Sequence, residues 1–189
     1  VMIREMDALD RQRALVEAGI ALVSELELEE ILHKLVETAA RLAGARYAAL
    51  GVIGRDGETL DRFVTHGMDE AEQRAIGPPP RGRGVLGVLI RDARPLRLHD
   101  LTTDPRAVGF PARHPPMRSF LGVPVLLRGT AYGNLYLTEK EGGTAFTDED
   151  EEVTTLLAAQ AAVAIENARR VERDALTRAV AAQETERRR

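Results

Sequence analysis

The 189-residue sequence contains no cysteine and no tryptophan, and its aromatic residues are four Phe and three Tyr. The absence of cysteine excludes disulfide bonds, cysteine-ligated zinc, iron–sulfur clusters and catalysis by a thiol. An excess of positive charge is also absent, because 26 Lys and Arg face 30 Asp and Glu, which gives a net charge of −4. No positive field therefore predicts nucleic acid or anionic lipid as a partner.

Long apolar runs are missing as well. No segment approaches the roughly 18–20 apolar residues that a membrane helix needs, and the first residues do not form the basic and then apolar segments of a signal peptide. We therefore expect a cytoplasmic chain that does not insert into a membrane. Hydrophobic residues make up 44% and charged residues 30% of the sequence, which is typical of a soluble globular protein.

The spacing of hydrophobic residues predicts a helix at each end and an α+β core between them. Residues 1–27 carry a heptad pattern that starts at Met2, and a second helix is expected over Leu28–Ala43. Two hairpins predict an antiparallel sheet. The other core elements are a short helix, a short strand and a loop with four prolines. In chain order, the expected core elements are the hairpin 47–65, the helix 85–91, the strand 96–98, the loop 100–117 and the hairpin 119–138.

A long final helix is expected from Asp148 to Arg189, because this segment contains neither Gly nor Pro. At about 1.5 Å per residue it would extend for roughly 60 Å, which is more than a small domain can cover. We therefore expect its distal half to pair with another helix. Ala161, Ala164 and Ala168 lie on one seam, and their small side chains are expected to allow close approach of two such helices.

Catalytic motifs are not found. The segment Gly82–Gly87 matches G-x-G-x-x-G, but prolines and not a strand precede it, so a glycine loop that leads into a helix is the better interpretation. The four histidines, His33, His66, His99 and His114, are too far apart in sequence for a compact metal motif. The sequence therefore predicts that this chain is not an enzyme.

His114 differs from the other histidines because it lies among prolines, in Phe110-Pro111-Ala112-Arg113-His114-Pro115-Pro116-Met117. Prolines fix the backbone and restrict the residue before them, so we expect His114 in an extended conformation on a stiff loop. Such preorganisation suits a ligand-bearing imidazole. Taken alone, the same pattern also fits a polar residue in a surface loop.

The segments Asp104–Pro111, His114–Val125 and Tyr132–Lys140 together carry a resemblance to a known family. They resemble GAF domains of actinobacterial sensor histidine kinases, in particular the haem-containing gas and redox sensors of the DevS/DosT type. The resemblance covers residues 28–167. It implies a GAF fold with a central antiparallel sheet of about six strands, flanked by helices, in which long terminal helices form a dimer bundle.

The resemblance also implies a cofactor, haem b. In the haem-binding members the histidine of the His-Pro-Pro-Met segment ligates the iron, which corresponds to His114, and a distal tyrosine corresponds to Tyr136. The sequence departs from the family at His66, where the family has a carboxylate near the haem edge; His66 is kept as a candidate cofactor contact. The alternative is an empty pocket or one with an organic ligand. The expected lining residues are Leu50, Phe63, Leu86, Phe120 and Tyr136.

The same resemblance divides the chain into three parts. Residues 1–27 would be a signalling and dimerisation helix, residues 28–167 the sensory domain and residues 168–189 a coiled-coil linker toward a kinase core. The last seven residues resemble the run that precedes the phosphoacceptor histidine in such kinases. The implied partners are a second copy of the chain, the kinase core and a response regulator. A scaffold domain without a ligand remains the alternative function.

Overall fold

A computed structural model describes residues 28–78, 84–143 and 145–187. The heptad pattern of residues 1–27 and the first two residues of the Gly82–Gly87 motif lie outside these ranges. In the described part, the chain forms one antiparallel sheet with helices on both faces, which confirms the α+β class.

The sheet has five strands in the order β2-β1-β5-β4-β3 within the described residues, one fewer than the expected number of about six. The strands are β1 (Ala45–Ile53), β2 (Leu60–His66), β3 (Leu96–Leu98), β4 (Phe120–Leu127) and β5 (Thr130–Lys140). Both expected hairpins are present, β1–β2 and β4–β5. The second hairpin turns at Arg128 and Gly129, whose φ angles of 51° and 80° fit the two-residue turn that matches strand twist.

Two helices, α1 (Leu28–Ala43) and α4 (Asp148–Arg187), pack on one face of the sheet and bury the main hydrophobic core. The apolar positions of α1 are buried, and α1 ends at Gly44, which has a φ of 59°. Thr147 and Asp150 cap the first turn of α4 reciprocally: the Asp150 amide donates to Thr147 Oγ1 over 3.2 Å, and the Thr147 amide donates to Asp150 Oδ2 over 2.9 Å.

The three alanines of α4 that were expected between paired helices contact their own domain instead. Ala161 and Ala164 are buried in the core of their own domain, among residues of α1 and the sheet, and Ala168 lines a cleft beside the β1–β2 hairpin. The expectation that these alanines face a second helix is therefore wrong for Ala161 and Ala164. The apolar residues of this segment that remain exposed are Leu156, Ala159 and Val163. No helix in the described ranges is long and apolar enough to cross a membrane.

The opposite face of the sheet is covered by shorter elements. These are α2 (Glu70–Ile76), α3 (Gly84–Asp92), a 3₁₀ turn at Leu101–Thr103 and the loop that leads to β4. Val85, Leu89 and Phe120 form a second, smaller hydrophobic cluster there. This separation leaves α1 and α4 on one face of the sheet and places the site described next on the other.

Helix α2 was not predicted from the hydrophobic spacing, because it buries no residue. Its sequence signal is polar: Asp69 accepts a hydrogen bond from the Glu72 amide over 2.8 Å, and the Glu72 carboxylate accepts one from the Asp69 amide over 2.8 Å. This reciprocal pair is a capping box, and the spacing Asp-x-x-Glu is readable in the sequence.

Candidate ligand-binding site

A cavity of about 1000 Å³ lies on the face of the sheet opposite α1 and α4. Strands β1, β2, β4 and β5 form its floor, and its walls come from α2, α3 and residues 101–117. Most of the lining side chains are apolar, with a small number of polar groups among them. This composition is typical of small-molecule and cofactor sites, and the volume lies at the upper end of their usual range of roughly 300–1000 Å³.

Three aromatic rings form the centre of the floor. The Tyr136 ring lies 6.1 Å from Phe120 and 6.5 Å from Phe63, measured between centroids. In the sheet, Tyr136 pairs with Ala49 on one side and Gly122 on the other, so its neighbours in register are small. A Cβ at Gly122 would lie 2.4 Å from Leu89 Cδ1, so the absence of a side chain there lets α3 approach the sheet.

His114 lines the cavity from the proline-rich loop. Its amide donates to the carbonyl of Pro111 over 3.2 Å, and Arg113 has a φ of 68°, so His114 closes a tight turn. Its Nδ1 lies 2.8 Å from the carbonyl oxygen of Pro115. Because a carbonyl can only accept, Nδ1 carries the proton in this contact, and Nε2 keeps a free lone pair. The Phe110 ring stacks on the imidazole with centroids 4.7 Å apart.

The hydroxyl of Tyr136 has no hydrogen-bond partner among the described residues. Burial raises the pKa of Tyr136 well above its ordinary value of 10.0, so the group stays a neutral donor at physiological pH. The hydroxyl is therefore a ready donor for a ligand.

A sulfur atom lies close to the same floor. The Thr138 hydroxyl is 3.0 Å from Sδ of Met117, and both side chains line the cavity. Met117 is buried. Its side chain is therefore fixed against β5, and it anchors the loop just after His114.

Two charged groups lie in the wall of the cavity. Arg74, on α2, is 4.0 Å from Glu70 and is largely exposed. Asp104 accepts two hydrogen bonds from the Arg106 guanidinium, over 2.8 Å from Nε and 2.7 Å from Nη2. This pairing lowers the pKa of Asp104 to about 2, so the carboxylate stays ionised. Among the described lining residues, Arg74 is the one that supplies a permanent positive charge.

Of the residues expected at the site, His114, Tyr136, Phe63, Leu86 and Phe120 all line the cavity. Leu50 and His66 do not. Leu50 pairs with Val64 and Leu135, and all three belong to the core on the other face of the sheet. His66 follows Val64 by two residues and therefore lies on that same face. These two expectations were wrong because alternation along a strand reverses the side of each successive residue.

Residues that the sequence did not nominate also line the cavity. They include Met68, Phe110, Met117 and Thr138. The place of Met117 and Thr138 in the cavity could have been predicted. Met117 ends the segment that contains His114, and Thr138 lies two residues after Tyr136 on the same face of β5. Met68 and Phe110 lie outside the strands, so no periodicity assigns them to the cavity.

A family model of the GAF domain matches residues 25–166, which is most of the chain. The chain belongs to the GAF family. GAF domains are regulatory ligand-binding modules, and the sheet with its cavity is the GAF fold.

Solved GAF structures superpose on the chain. The GAF domain of a phosphoenolpyruvate-protein phosphotransferase from Coxiella burnetii is 21% identical, with a TM-score of 0.76 over 88% of this chain and 99% of that one. The GAF domain of a putative sensor histidine kinase from Pseudomonas syringae pv. tomato is 19% identical, with a TM-score of 0.61 over 89% and 94%. The second GAF domain of DevS from Mycobacterium smegmatis is 26% identical, with a TM-score of 0.56 over 78% and 99%.

Proposed function

We propose that this GAF domain is a cytoplasmic sensory input domain that binds haem b in its cavity, with His114 as the iron ligand. The observation that carries the proposal is the geometry of His114. The contact of Nδ1 with the Pro115 carbonyl sets the tautomer and leaves Nε2 as the ligand atom, which is the arrangement that orients metal-bound histidines. Haem bound there would supply an iron centre that responds to a diatomic gas or to redox change.

The remaining lining residues fit this group. The cavity is large and mainly apolar, the floor offers flat aromatic rings, and Tyr136 holds an unpaired neutral hydroxyl. Tyr136 would donate a hydrogen bond to an acceptor atom of the bound ligand. Arg74, at the wall of the cavity, suits a carboxylate group of the ligand. The stack of Phe110 on His114 excludes water from one side of the imidazole.

A second copy of the chain is the partner that we propose for α4. Leu156 and Val163 are large hydrophobic residues with exposed fractions of 48% and 41%. They are seven residues apart, so they share one face of α4 with Ala159. The helix continues to Arg187, and Ile165 is the last of its described side chains in the hydrophobic core. This face of Leu156, Ala159 and Val163 is the natural seam of a parallel helix pair that leads to a kinase core and, through it, acts on a response regulator.

The scaffold alternative predicts a cavity filled by side chains. The open volume of about 1000 Å³ favours a binding domain over that alternative. An organic ligand in the same cavity is the second candidate, and it is favoured by the mixture of polar groups along the wall, Gln73, Arg74 and Thr102 among them.

The test is a haemin titration followed by absorption spectroscopy on the full chain, beside His114→Ala and His33→Ala. His33 is exposed on α1, on the other face of the sheet, and serves as the matched control. We expect a stoichiometric Soret band that shifts on reduction and on addition of CO in the parent chain and in His33→Ala. In His114→Ala the band should weaken at least several-fold or change in position.

Two results would count against the proposal. The lack of a stoichiometric band in the parent chain would exclude haem and would direct the search to organic compounds that co-purify, by mass spectrometry. A normal band that His114→Ala leaves unchanged would exclude His114 as the ligand.

A further inference from the structure

Phe63 separates two cavities. It lines the large cavity, where it lies against Tyr136, and it also lines a smaller cleft of about 440 Å³. The cleft lies between the β1–β2 hairpin and α4, and its other lining residues include Asp61, Ala168 and Arg169. A ligand that displaces the Phe63 ring therefore changes the cleft as well.

Arg169 holds α4 to this end of the sheet through three strands at once. Its guanidinium donates to the Ile53 carbonyl at the end of β1. It lies 3.7 Å from the Asp61 carboxylate on β2 and 5.5 Å from the centroid of the Tyr132 ring on β5. The side chain is mostly buried, with 18% of its area exposed.

The contacts of the neighbouring turns of α4 are polar too. Tyr132 donates to Glu166 over 2.8 Å, and Glu166 accepts from Arg173 over 3.0 Å. Among the described side chains of α4, Ile165 is the last that belongs to the main hydrophobic core. Glu166, Arg169 and Arg173 are thus held by oriented hydrogen bonds and ion pairs, whose geometry depends on where the strand ends lie.

We propose that Arg169 is the coupling residue between the cavity and the outgoing part of α4. Phe63 and Asp61 are separated by one residue on β2, at an irregularity in its pairing with β1, and both line the cleft. A shift of Phe63 on ligand binding therefore moves the carboxylate that faces Arg169. Arg169 then passes this shift to α4, because its contact with Asp61 differs between the ligand-free and the ligand-bound chain. This inference rests on the proposed function in that it assumes a ligand in the large cavity.

Amide hydrogen exchange of the full chain, with and without haemin, tests the coupling in the parent chain, Arg169→Gln and Arg170→Gln. Arg170 is the next residue on α4 and is exposed, so Arg170→Gln is a control with the same chemical change. We expect haemin to change the protection of residues 166–175 at least threefold in the parent chain and in Arg170→Gln. In Arg169→Gln the haemin-induced change in amide protection at β2 should persist, and the change in protection at residues 166–175 should fall by more than half.

An equal response of residues 166–175 in the parent chain and Arg169→Gln would overturn the proposal. The Soret band of the same samples reports occupancy, so a failure of haem binding is recognised separately. In that case Phe63→Leu replaces haemin as the perturbation. We expect non-additive effects of Phe63→Leu and Arg169→Gln on the protection of residues 166–175, by at least a factor of three. Additive effects would overturn the coupling without reference to any ligand.

Arg169→Lys guards against a loss of fold in Arg169→Gln. Lysine keeps the positive charge but cannot engage the Ile53 carbonyl and the Asp61 carboxylate with a planar fork. We expect Arg169→Lys to retain parent-like circular dichroism and still to lose more than half of the response at residues 166–175. A full response in a folded Arg169→Lys would show that charge alone suffices and that the fork of Arg169 is not the coupling group.

Discussion

The hydroxyl of Tyr136 affects both the pH dependence of the stability of the domain and the binding of a ligand in the cavity. It lies on the floor of the cavity between two other aromatic rings, without a hydrogen-bond partner among the described residues. Burial raises its pKa because the ionised form loses its hydration. The same burial keeps the proton in place for donation to a ligand.

Tyr136→Phe should change how the stability of the free chain depends on alkaline pH. The unfolded chain loses the tyrosine proton near pH 10, and the folded chain does not, so the parent's unfolding free energy falls as the pH rises above 10. For one group the slope approaches about 1.4 kcal/mol per pH unit. Urea unfolding at several pH values should show a shallower decline in Tyr136→Phe. Identical slopes would contradict burial of an ionisable hydroxyl at this position.

Some site residues could be predicted from the sequence and others could not. His114 and Tyr136 were found because each lies in a recognisable segment. Leu50 and His66 lie on the other face because strand alternation decides the face. Leu50 was chosen as an apolar residue and His66 through the family resemblance, and neither signal reports the face of a strand. Arg169 could not be predicted, because its partner Ile53 is 116 residues away and no local pattern joins them.

At the scale of secondary-structure elements, Lys140 joins three of them. Its ammonium group, at the end of β5, donates to the carbonyl of Ala43 at the end of α1 over 2.7 Å. It also donates to Asp150, in the first turn of α4, over 2.8 Å. Asp150 is almost fully buried. One side chain therefore satisfies a helix C-terminus and pairs a buried carboxylate.

Lys140→Met should destabilise the domain strongly. It leaves the carboxylate of Asp150 buried without its cation, which typically costs about 3–5 kcal/mol. The double variant Lys140→Met with Asp150→Asn should recover part of the loss, since it removes the unpaired charge. Urea unfolding monitored by circular dichroism measures both. A loss under about 1 kcal/mol in Lys140→Met would show that Asp150 is held by the Thr147 cap alone.

Local sequence signals also predicted element boundaries, whereas features set by contacts between residues distant in sequence were not predicted. The C-terminal end of α1 and the start of α4 were predicted correctly, because a glycine and an acidic run mark them. Ala161 and Ala164 were assigned to the wrong partner, because a heptad pattern is equally suited to a domain core and to a second helix. The cavity was not predictable in size, since it depends on how the loop 101–117 packs against strands distant in sequence.

At the scale of the whole molecule, the ends of the described chain and the cavity lie on opposite faces of the sheet. Helices α1 and α4 bury the large core on one face, and the loop and short helices enclose the cavity on the other. The exposed face of α4 at Leu156 and Val163 points away from that core. A second copy can dock there without closing the cavity.

Leu156→Glu with Val163→Glu should convert a dimer into a monomer. Both changes place carboxylates on the proposed helix seam, where two copies would repel each other and lose apolar contact. Light scattering should give twice the monomer mass for the parent chain and the monomer mass for the variant. Val108→Glu is the control, because Val108 is an exposed apolar residue of the loop and not of α4. A dimeric double variant would exclude this seam.

The two separate hydrophobic clusters have a consequence for how such a domain diversifies. The large cluster between the sheet and α1 with α4 supplies most of the buried apolar side chains, whereas the cluster beside the cavity has three buried members. Substitutions on the cavity side can therefore change which molecule is recognised while the fold and the helix that leaves the domain are retained. Under the proposed function, a duplicated copy of this chain is free to acquire a new chemical specificity and would still deliver its output through the same helix.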